Sequence, residues 1–153
     1  MKAIVQTQYG SPEVLQLVDV KKPEPADNEV LVRIHATTVT ATEAVFRQGK
    51  PYFSRLFTGF RKPKIQTLGE ELAGEVIATG KDVTTLKIGD QVFGTAGPNF
   101  GANAEYLCVP EDEVLAHKPS NLTHEEAAAS VDGFLTALPF LRDKGHIQSG
   151  QSV

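Results

Sequence analysis

Cysteines and long apolar runs are scarce in this sequence. Its 153 residues contain a single cysteine, Cys108, and no apolar stretch approaching the roughly 20 residues that cross a bilayer. A single cysteine excludes an intrachain disulfide, and the strand-like neighbours of Cys108 predict a buried, unreactive thiol. The first residues alternate like a strand and carry one basic residue, which is not the pattern of a signal peptide. We therefore expect a cytoplasmic protein without a membrane partner.

Clustered basic charge is also scarce. The net charge is −4 and the isoelectric point lies near 5.5. The densest basic stretch, residues 55–64, is short and is interpreted as a solvated loop. Proteins that bind a phosphate backbone usually concentrate Lys and Arg on one face, so no nucleic-acid partner is expected.

A glycine-rich phosphate motif is missing as well. A dinucleotide site needs a strand, a turn of closely spaced glycines and a helix N-terminus that holds the pyrophosphate. No such run occurs in the sequence. The 153 residues alone are therefore not expected to bind a dinucleotide tightly.

Short strands separated by turn residues account for most of what is present. Residues 29–36 alternate between apolar and polar side chains, with His35 on the wetter face. This pattern predicts a mainly β fold with short helices, in the form of a partly open barrel. Further strands are predicted over residues 72–79, 90–95, 104–109 and 114–117.

Helical signals interrupt the strands in two places. Residues 42–48 followed by Gly49 predict a short helix that Thr42 caps. From Thr123, a capping box predicts a helix, and a second helix is predicted to begin at Asp132, with a kink at Pro139. The chain is therefore divided into a barrel over residues 1–122 and connecting helices over residues 123–153.

Aromatic residues are concentrated between residues 51 and 64, a segment without a clean period that is interpreted as a loop or broken helix. They form a candidate apolar wall for a flat substrate. The alternative is that part of this group packs in the core. The candidate pocket residues are Tyr52, Phe53, Phe57 and Phe100.

Several short motifs occur in a characteristic order along the chain. They are Met1-Lys2-Ala3, Pro23-Glu24-Pro25, Glu29-Val30-Leu31-Val32, Leu68-Gly69-Glu70-Glu71-Leu72-Ala73-Gly74-Glu75-Val76, Gly89-Asp90-Gln91-Val92-Phe93-Gly94, Ala104-Glu105-Tyr106 and Gly133-Phe134-Leu135-Thr136-Ala137. In these residues the sequence resembles the medium-chain dehydrogenase/reductase superfamily, of the zinc-independent quinone oxidoreductase type. The resemblance implies a GroES-like barrel followed by helices that lead toward a Rossmann domain absent from these residues.

The resemblance also bears on metal binding. The positions that hold catalytic zinc in zinc-dependent relatives fall on Thr40, Glu70 and Asp132, and a threonine hydroxyl is a poor zinc ligand. No zinc and no metal site are therefore expected. Alternatively, Glu70 and Asp132 hold a hard divalent ion through oxygen. Asp132 is otherwise interpreted as a helix N-cap and Glu70 as a partner in an ion pair.

The resemblance implies three catalytic residues. Thr40 is a hydrogen-bond donor to the substrate oxygen, and Thr42 is a second candidate donor. Glu70 is able to donate only if burial raises its pKa and keeps it protonated. Glu43 either orients its neighbours or lies exposed on a helical turn. Relatives often have a tyrosine where this chain has Val45, which makes a tyrosine proton donor doubtful here.

The cofactor implied by the resemblance is NADPH or NADH, bound by the full-length protein. Thr40 and Thr136 are the residues expected to contact it, although Thr136 is alternatively a helix threonine that bonds its own backbone. The implied activity is hydride reduction of quinones, activated alkenes or carbonyls, with the full-length protein a homodimer. The alternatives are a metal-dependent alcohol dehydrogenase domain and a non-enzymatic GroES-like binding module.

Overall fold

Two antiparallel sheets form most of the molecule, as seen in a computed structural model of the chain. The structure describes residues 1–152, and it describes the side chains of all of these apart from Ser54 and Phe57. β1 and β2 form a two-stranded sheet, and a five-stranded sheet has the order β6-β3-β4-β5-β7. The strands are β1 (Lys2–Gln6), β2 (Leu15–Asp19), β3 (Glu29–Thr37), β4 (Glu71–Thr79), β5 (Gln91–Thr95), β6 (Tyr106–Pro110) and β7 (Leu115–His117).

The larger sheet is open, because its edge strands β6 and β7 do not pair with each other. This confirms the mainly β, partly open barrel that the sequence predicts. All the strands predicted from the alternating pattern are present, with ends that differ by one or two residues. The strand β2 was not predicted, because its leucines lie on an exposed hairpin and give no buried face.

The core lies on one face of the five-stranded sheet. In β3 the side chains of Val30 and Val32 are fully buried, whereas those of Arg33 and His35 are exposed, as the alternation predicts. Leu31 departs from the pattern and is also buried, because β-bulges interrupt the register of β3 with β4. The core residues are Val30, Val32, Leu72, Val76, Val92, Ala96, Ala102 and Val109.

Close backbone packing explains one of the motif glycines. Gly74 lies on β4 opposite Ile34, and a Cβ added to it would stand 2.1 Å from the main-chain oxygen of Arg33. No side chain fits in that space. The glycine therefore belongs to the strand pairing that holds β3 against β4.

The hairpin of β1 and β2 is attached to the rest of the molecule at a few points. Ala3 makes an isolated bridge to Ala104, and the amide of Gln6 donates to the carbonyl of Gln66. At the open end of the hairpin, the amino group of Met1 donates to the carbonyl of Val20 at 2.9 Å. The hairpin thus begins with the first residue of the chain.

The helices are α1 (Ala41–Gln48), α2 (Arg55–Thr58) and α3 (His124–Pro139), with a 3-10 turn over Tyr52–Ser54 before α2. Gly49 ends α1 in the left-handed conformation, as predicted. Of the two predicted alternatives for the segment from residue 51, a loop or a broken helix, the structure has the broken helix.

The C-terminal region contains one helix where two were predicted. The capping box at Thr123 is present, but α3 continues through Asp132 and Gly133 without a break. Asp132 is therefore a residue of the helix body, and its interpretation as an N-cap is wrong. Pro139 does interrupt the α-helical pattern, because it has no N–H, and a π-helical turn over Phe140–Lys144 follows.

Two further features of the described residues follow from their burial and composition. Burial, assisted by the charge of Glu29, raises the pKa of the half-buried Cys108 thiol to about 11, so the thiol is protonated at neutral pH. Within residues 1–152, none of the helices has the length and apolar character needed to cross a bilayer.

Candidate functional site

Thr40 lies at the junction of β3 and α1. It has an extended backbone conformation, and its side-chain oxygen accepts a hydrogen bond from the main-chain N–H of Glu43 at 3.2 Å. Thr40 is therefore the N-cap of α1, and the prediction that Thr42 caps this helix is wrong. The hydroxyl hydrogen of Thr40 is not used by this contact, so the side chain keeps a donor.

Glu43 is buried behind this cap, with 3% of its surface exposed. One carboxyl oxygen accepts a hydrogen bond from the side-chain amide of Asn103 at 3.0 Å, and the other has no hydrogen-bond partner among the described residues. Burial raises the pKa of Glu43, and the hydrogen bond from Asn103 offsets part of this rise. The sequence alternative of an exposed position on α1 is wrong.

Glu70 lies immediately before β4, after Gly69, which has a φ of 99°. Burial raises the pKa of the Glu70 carboxyl, and repulsion from Asp132, Glu71 and Glu43 adds to the rise, in that order. The expected ion pair with a basic residue is absent from the described part of the chain, and the charges that act on Glu70 are other carboxylates. A fraction of neutral Glu70 therefore persists to higher pH than for an exposed glutamate.

Glu71 is a residue of this site that the sequence reasoning missed. Its side chain is 3% exposed. One carboxyl oxygen accepts a hydrogen bond from the main-chain N–H of Asp132 at 2.6 Å, and the other accepts from the hydroxyl of Thr38. The available signal was a glutamate that directly precedes the buried run Leu72-Ala73-Gly74, where an exposed carboxylate is not expected.

Thr136 and Asp132 lie one turn apart on α3. The hydroxyl of Thr136 donates to a carboxyl oxygen of Asp132 at 3.4 Å, and both side chains are exposed. The sequence alternative, in which the Thr136 hydroxyl bonds its own backbone, does not describe this contact. Thr136 is thus accessible to a ligand that lies along this face of the helix.

The predicted aromatic wall is divided between two environments. Tyr52 and Phe53 are largely exposed, and the guanidinium of Arg55 stacks over the Tyr52 ring. Phe100 is buried, and its ring lies 4.9 Å from that of Phe46. The side chain of Phe57 lies outside the described residues.

Two cavities lie near α1 and α3, and neither Tyr52 nor Phe53 nor Phe100 lines them. A cavity of about 350 Å³ lies between the hairpin and α1, and Glu43 and Asn103 line it together with apolar side chains that include Ile4 and Leu15. An apolar groove of about 210 Å³ lies between α3 and β7, where Val131, Phe134 and Leu135 face Val114 and Leu115.

Glu70 and Asp132 are the two carboxylates that the sequence alternative assigns to a hard divalent ion. Within residues 1–152, no group of three or more His, Cys, Asp or Glu side chains is arranged to hold a metal ion. The positions that correspond to zinc ligands in zinc-dependent relatives carry Thr40, Glu70 and Asp132, which offer oxygen donors only. Carboxylates bind zinc, but a threonine hydroxyl is a poor zinc ligand, so this set of three residues does not fit a zinc ion.

Comparison with known proteins adds independent findings. Residues 26–120 match the family described as alcohol dehydrogenase GroES-like domain. The chain is 36% identical over 152 residues to a quinone oxidoreductase of Pseudomonas aeruginosa, which covers 99% of this chain and 44% of that protein. It is 36% identical over 161 residues to the 2-methylene-furan-3-one reductase of Solanum lycopersicum, which covers all of this chain and 39% of the relative.

The fold is similar to that of the Escherichia coli quinone oxidoreductase, whose crystal structure is a complex with NADPH. The TM-score is 0.80 at 30% sequence identity, with 94% of this chain and 41% of that chain covered. The chain therefore spans less than half the length of the relatives that it matches.

Proposed function

Because this chain belongs to the alcohol dehydrogenase GroES-like domain family, we propose that it is the substrate-side part of an NAD(P)H-dependent reductase of quinones or activated alkenes. One observation carries the choice of site. The carboxyls of Glu43, Glu71 and Asp132 all lie close enough to Glu70 to raise its pKa, and Thr40 caps α1 beside Glu43. These residues belong to three separate parts of the fold, which the sheet and α3 bring together.

The reaction requires a hydride, a hydrogen-bond donor and a proton. NADPH supplies the hydride when bound. As hydride reaches a carbon of the quinone or enone, an electron pair moves onto the carbonyl oxygen, and donors placed there stabilise that charge. The hydroxyl of Thr40 is such a donor, because its oxygen accepts from the Glu43 N–H and its hydrogen is free to point toward the substrate.

Glu70 is assigned the role of proton donor. Its raised pKa favours the neutral carboxyl, which has an O–H to donate to the oxygen of the reduced product. The carboxylate that remains recovers its proton from water, which restores the resting state. Glu43 is assigned a supporting role, because repulsion from its carboxyl, when ionised, is one of the causes that raise the pKa of Glu70.

The cofactor contacts of this chain are assigned to Thr40 and Thr136. Thr136 is exposed on α3, where its hydroxyl is able to bind a polar group of the nicotinamide part of NADPH. The pyrophosphate requires a glycine-rich turn, and this sequence contains none. Residues outside this sequence therefore provide most of the cofactor affinity. The chain alone neither binds NADPH tightly nor catalyses its oxidation.

The proposal also excludes zinc from the reaction, since a hydroxyl and carboxyl groups replace the sulfur and imidazole ligands that hold catalytic zinc. The exposed apolar side chains of α3 support an origin in a longer protein. Phe134 is 69% exposed, and the neighbouring Leu138 and Phe140 are also exposed. A contiguous apolar patch of this kind is usually covered by another protein surface.

A chimera tests the proposal. This chain replaces the matching part of the Pseudomonas aeruginosa quinone oxidoreductase, and NADPH oxidation is followed with 1,4-benzoquinone and with cyclohexenone. We expect turnover by the chimera and none by the 153-residue chain. Thr40→Val should lower kcat by about a hundredfold, because it removes the donor. Thr40→Ser should restore most of the rate, and Thr42→Val is the matched control.

A chimera that folds and binds NADPH but reduces neither substrate would contradict the proposed function. Steady NADPH oxidation by the isolated chain would contradict the assignment of the cofactor site to residues outside it. Stoichiometric zinc in the active chimera, with loss of activity on chelation, would contradict the metal-free mechanism.

A further inference from the structure

Glu71 joins three elements of the fold through one buried carboxyl group. The residue begins β4, its side chain accepts the main-chain N–H of Asp132 in α3 at 2.6 Å, and it also accepts the hydroxyl of Thr38 after β3. In addition, its main-chain carbonyl accepts the hydroxyl of Thr37 at 2.7 Å. Hydrogen bonds to a buried carboxylate are among the stronger ones in proteins, since an ionised acceptor is involved.

Small side chains make this contact possible. Ala73 of β4 and Ala127 and Ala128 of α3 are fully buried against one another. Their size lets the main chain of α3 approach the sheet, so that the carboxyl of Glu71 reaches a main-chain N–H in the body of the helix. The contact therefore depends on both the alanines and the glutamate.

Each partner of Glu71 lies beside a residue of the proposed site. Thr38 is two residues before Thr40, the cap of α1, and Asp132 is the hydrogen-bond partner of Thr136. Glu70 directly precedes Glu71 in the chain. The side chain of Glu71 thus connects the segment that contains Thr40 to α3.

We propose that Glu71 is a positioning residue, whose buried carboxylate fixes α3 at Asp132 against the segment that carries Thr38 and Thr40. Its importance for catalysis rests on the proposed function. The two hydrogen bonds of its carboxyl connect α3 to the segment after β3 whatever the activity of the protein. Glu71 itself is not assigned contact with substrate or cofactor.

A second effect of Glu71 distinguishes it from a purely structural link. Its negative charge is one of the causes that raise the pKa of Glu70, after burial and the charge of Asp132. Glu71→Gln keeps the shape of the side chain and an oxygen acceptor but removes the charge. Glu71→Leu removes the charge and both hydrogen bonds.

The experiment uses NMR on the isotope-labelled chain, which requires no turnover. Amide hydrogen exchange is measured at Asp132 and, as an internal reference in the same helix, at Val131. The pKa of Glu70 is measured from its carboxyl carbon shift. Glu75→Gln and Glu75→Leu are the matched controls, because Glu75 lies on the same strand and pairs at the surface with Arg33.

We expect Glu71→Leu to accelerate exchange at Asp132 by at least about tenfold relative to Val131. We expect Glu71→Gln to lower the pKa of Glu70 while leaving exchange at Asp132 within about threefold, since the amide oxygen still accepts. Should Glu71→Leu fail to fold, Thr38→Val provides the same test, because it loosens the carboxyl and should accelerate Asp132 relative to Val131.

Equal acceleration at Asp132 and Val131 in the folded variant, or an unchanged pKa of Glu70 in Glu71→Gln, would overturn the proposal. Failure of the proposed function is seen separately, as an inactive chimera with unsubstituted Glu71. In an active chimera, Glu71→Gln should lower kcat with little change in the KM for NADPH, and the Glu75→Gln control should change neither.

Discussion

The imidazole rings of His35 and His124 face each other across the junction of β3 and α3, with centroids 4.5 Å apart. His35 lies 3.9 Å from the carboxylate of Glu75, and His124 shares a 2.9 Å hydrogen bond with the side chain of Gln91. Burial lowers the pKa of His124, and repulsion from His35 and Lys118 lowers it further. The start of α3 thus contacts the sheet through His124, whose protonation is disfavoured in the folded chain.

Acid should weaken the fold through His124. Because the pKa of His124 is lower in the folded than in the unfolded chain, the unfolded chain binds more protons and stability falls as the pH drops below about 6.5. In His124→Gln, the fall in unfolding free energy from about pH 7.5 to about pH 5.5 should be smaller, as measured by urea titration. The exposed His146→Gln is the control, and equal pH dependence in all three proteins would be the contrary result.

Glu43 should have the opposite effect. Burial raises its pKa, so its contribution to stability is complete below the unfolded pKa and is lost as the pH rises through the folded value. The unfolding free energy of Glu43→Gln relative to the unsubstituted chain should therefore increase between about pH 4.5 and pH 7.5. Glu24→Gln, at an exposed position, should show no such trend.

Thr40 and Thr42 should differ in their effect on stability, because only Thr40 caps α1. Thr40→Ala should reduce the unfolding free energy by about 1 kcal/mol, because the N–H of Glu43 loses its acceptor. Thr42→Ala should change it by less than about 0.5 kcal/mol. Chemical denaturation of both variants measures this, and equal losses would show that Thr40 is not the cap.

The core should depend on Leu72, whose side chain is fully buried near the start of β4, the middle strand of the five-stranded sheet. Leu72→Ala should cost about 2 to 5 kcal/mol, because it removes apolar contacts and leaves a cavity. The same change at the exposed Leu17 of β2 should remain within about 0.5 kcal/mol. A loss of unfolding free energy at Leu72 as small as that at Leu17 would show that Leu72 does not belong to the core.

The apolar face of α3 should govern the behaviour of the isolated chain in solution. Replacing Phe134 and Leu138 by serine should reduce binding of a hydrophobic dye and self-association, with little change in stability, since both side chains are exposed. Ile88→Ser, at an isolated exposed position, is the control. Dye binding that is unchanged by the paired replacement would show that this face is not the exposed apolar surface.

The sequence predicts the strands well because each has a clear burial pattern. Val30 and Val32 alternate with Arg33 and His35, and turn residues limit each strand. It fails at Asp132, because an Asp-Gly pair favours a helix start whereas the carboxylate of Glu71 binds the Asp132 N–H within a continuous helix. Local signals are overridden there by a contact between residues 61 positions apart.

The candidate site was predictable only in part. The resemblance proposes Thr40, Glu43 and Glu70 as site residues, but spacing alone does not reveal that the carboxyl of Glu43 lies behind the cap and contacts Asn103, 60 residues later. Glu71 escaped notice for the same reason, since its two partners come from distant segments. Burial of charged groups depends on the assembled fold, which a linear pattern does not contain.

The hairpin of β1 and β2 determines where this protein tolerates additions. The ammonium group of Met1 donates a hydrogen bond to the carbonyl of Val20 at the open end of the hairpin. Two residues after Met1, Ala3 forms a β-bridge with Ala104. An affinity tag fused ahead of Met1 would therefore crowd the open end of the hairpin and replace its terminal charge by an amide. On the isolated 153-residue chain, purification handles and fluorescent labels are better attached beyond Gly150, where the described residues are exposed and contribute no strand pairing.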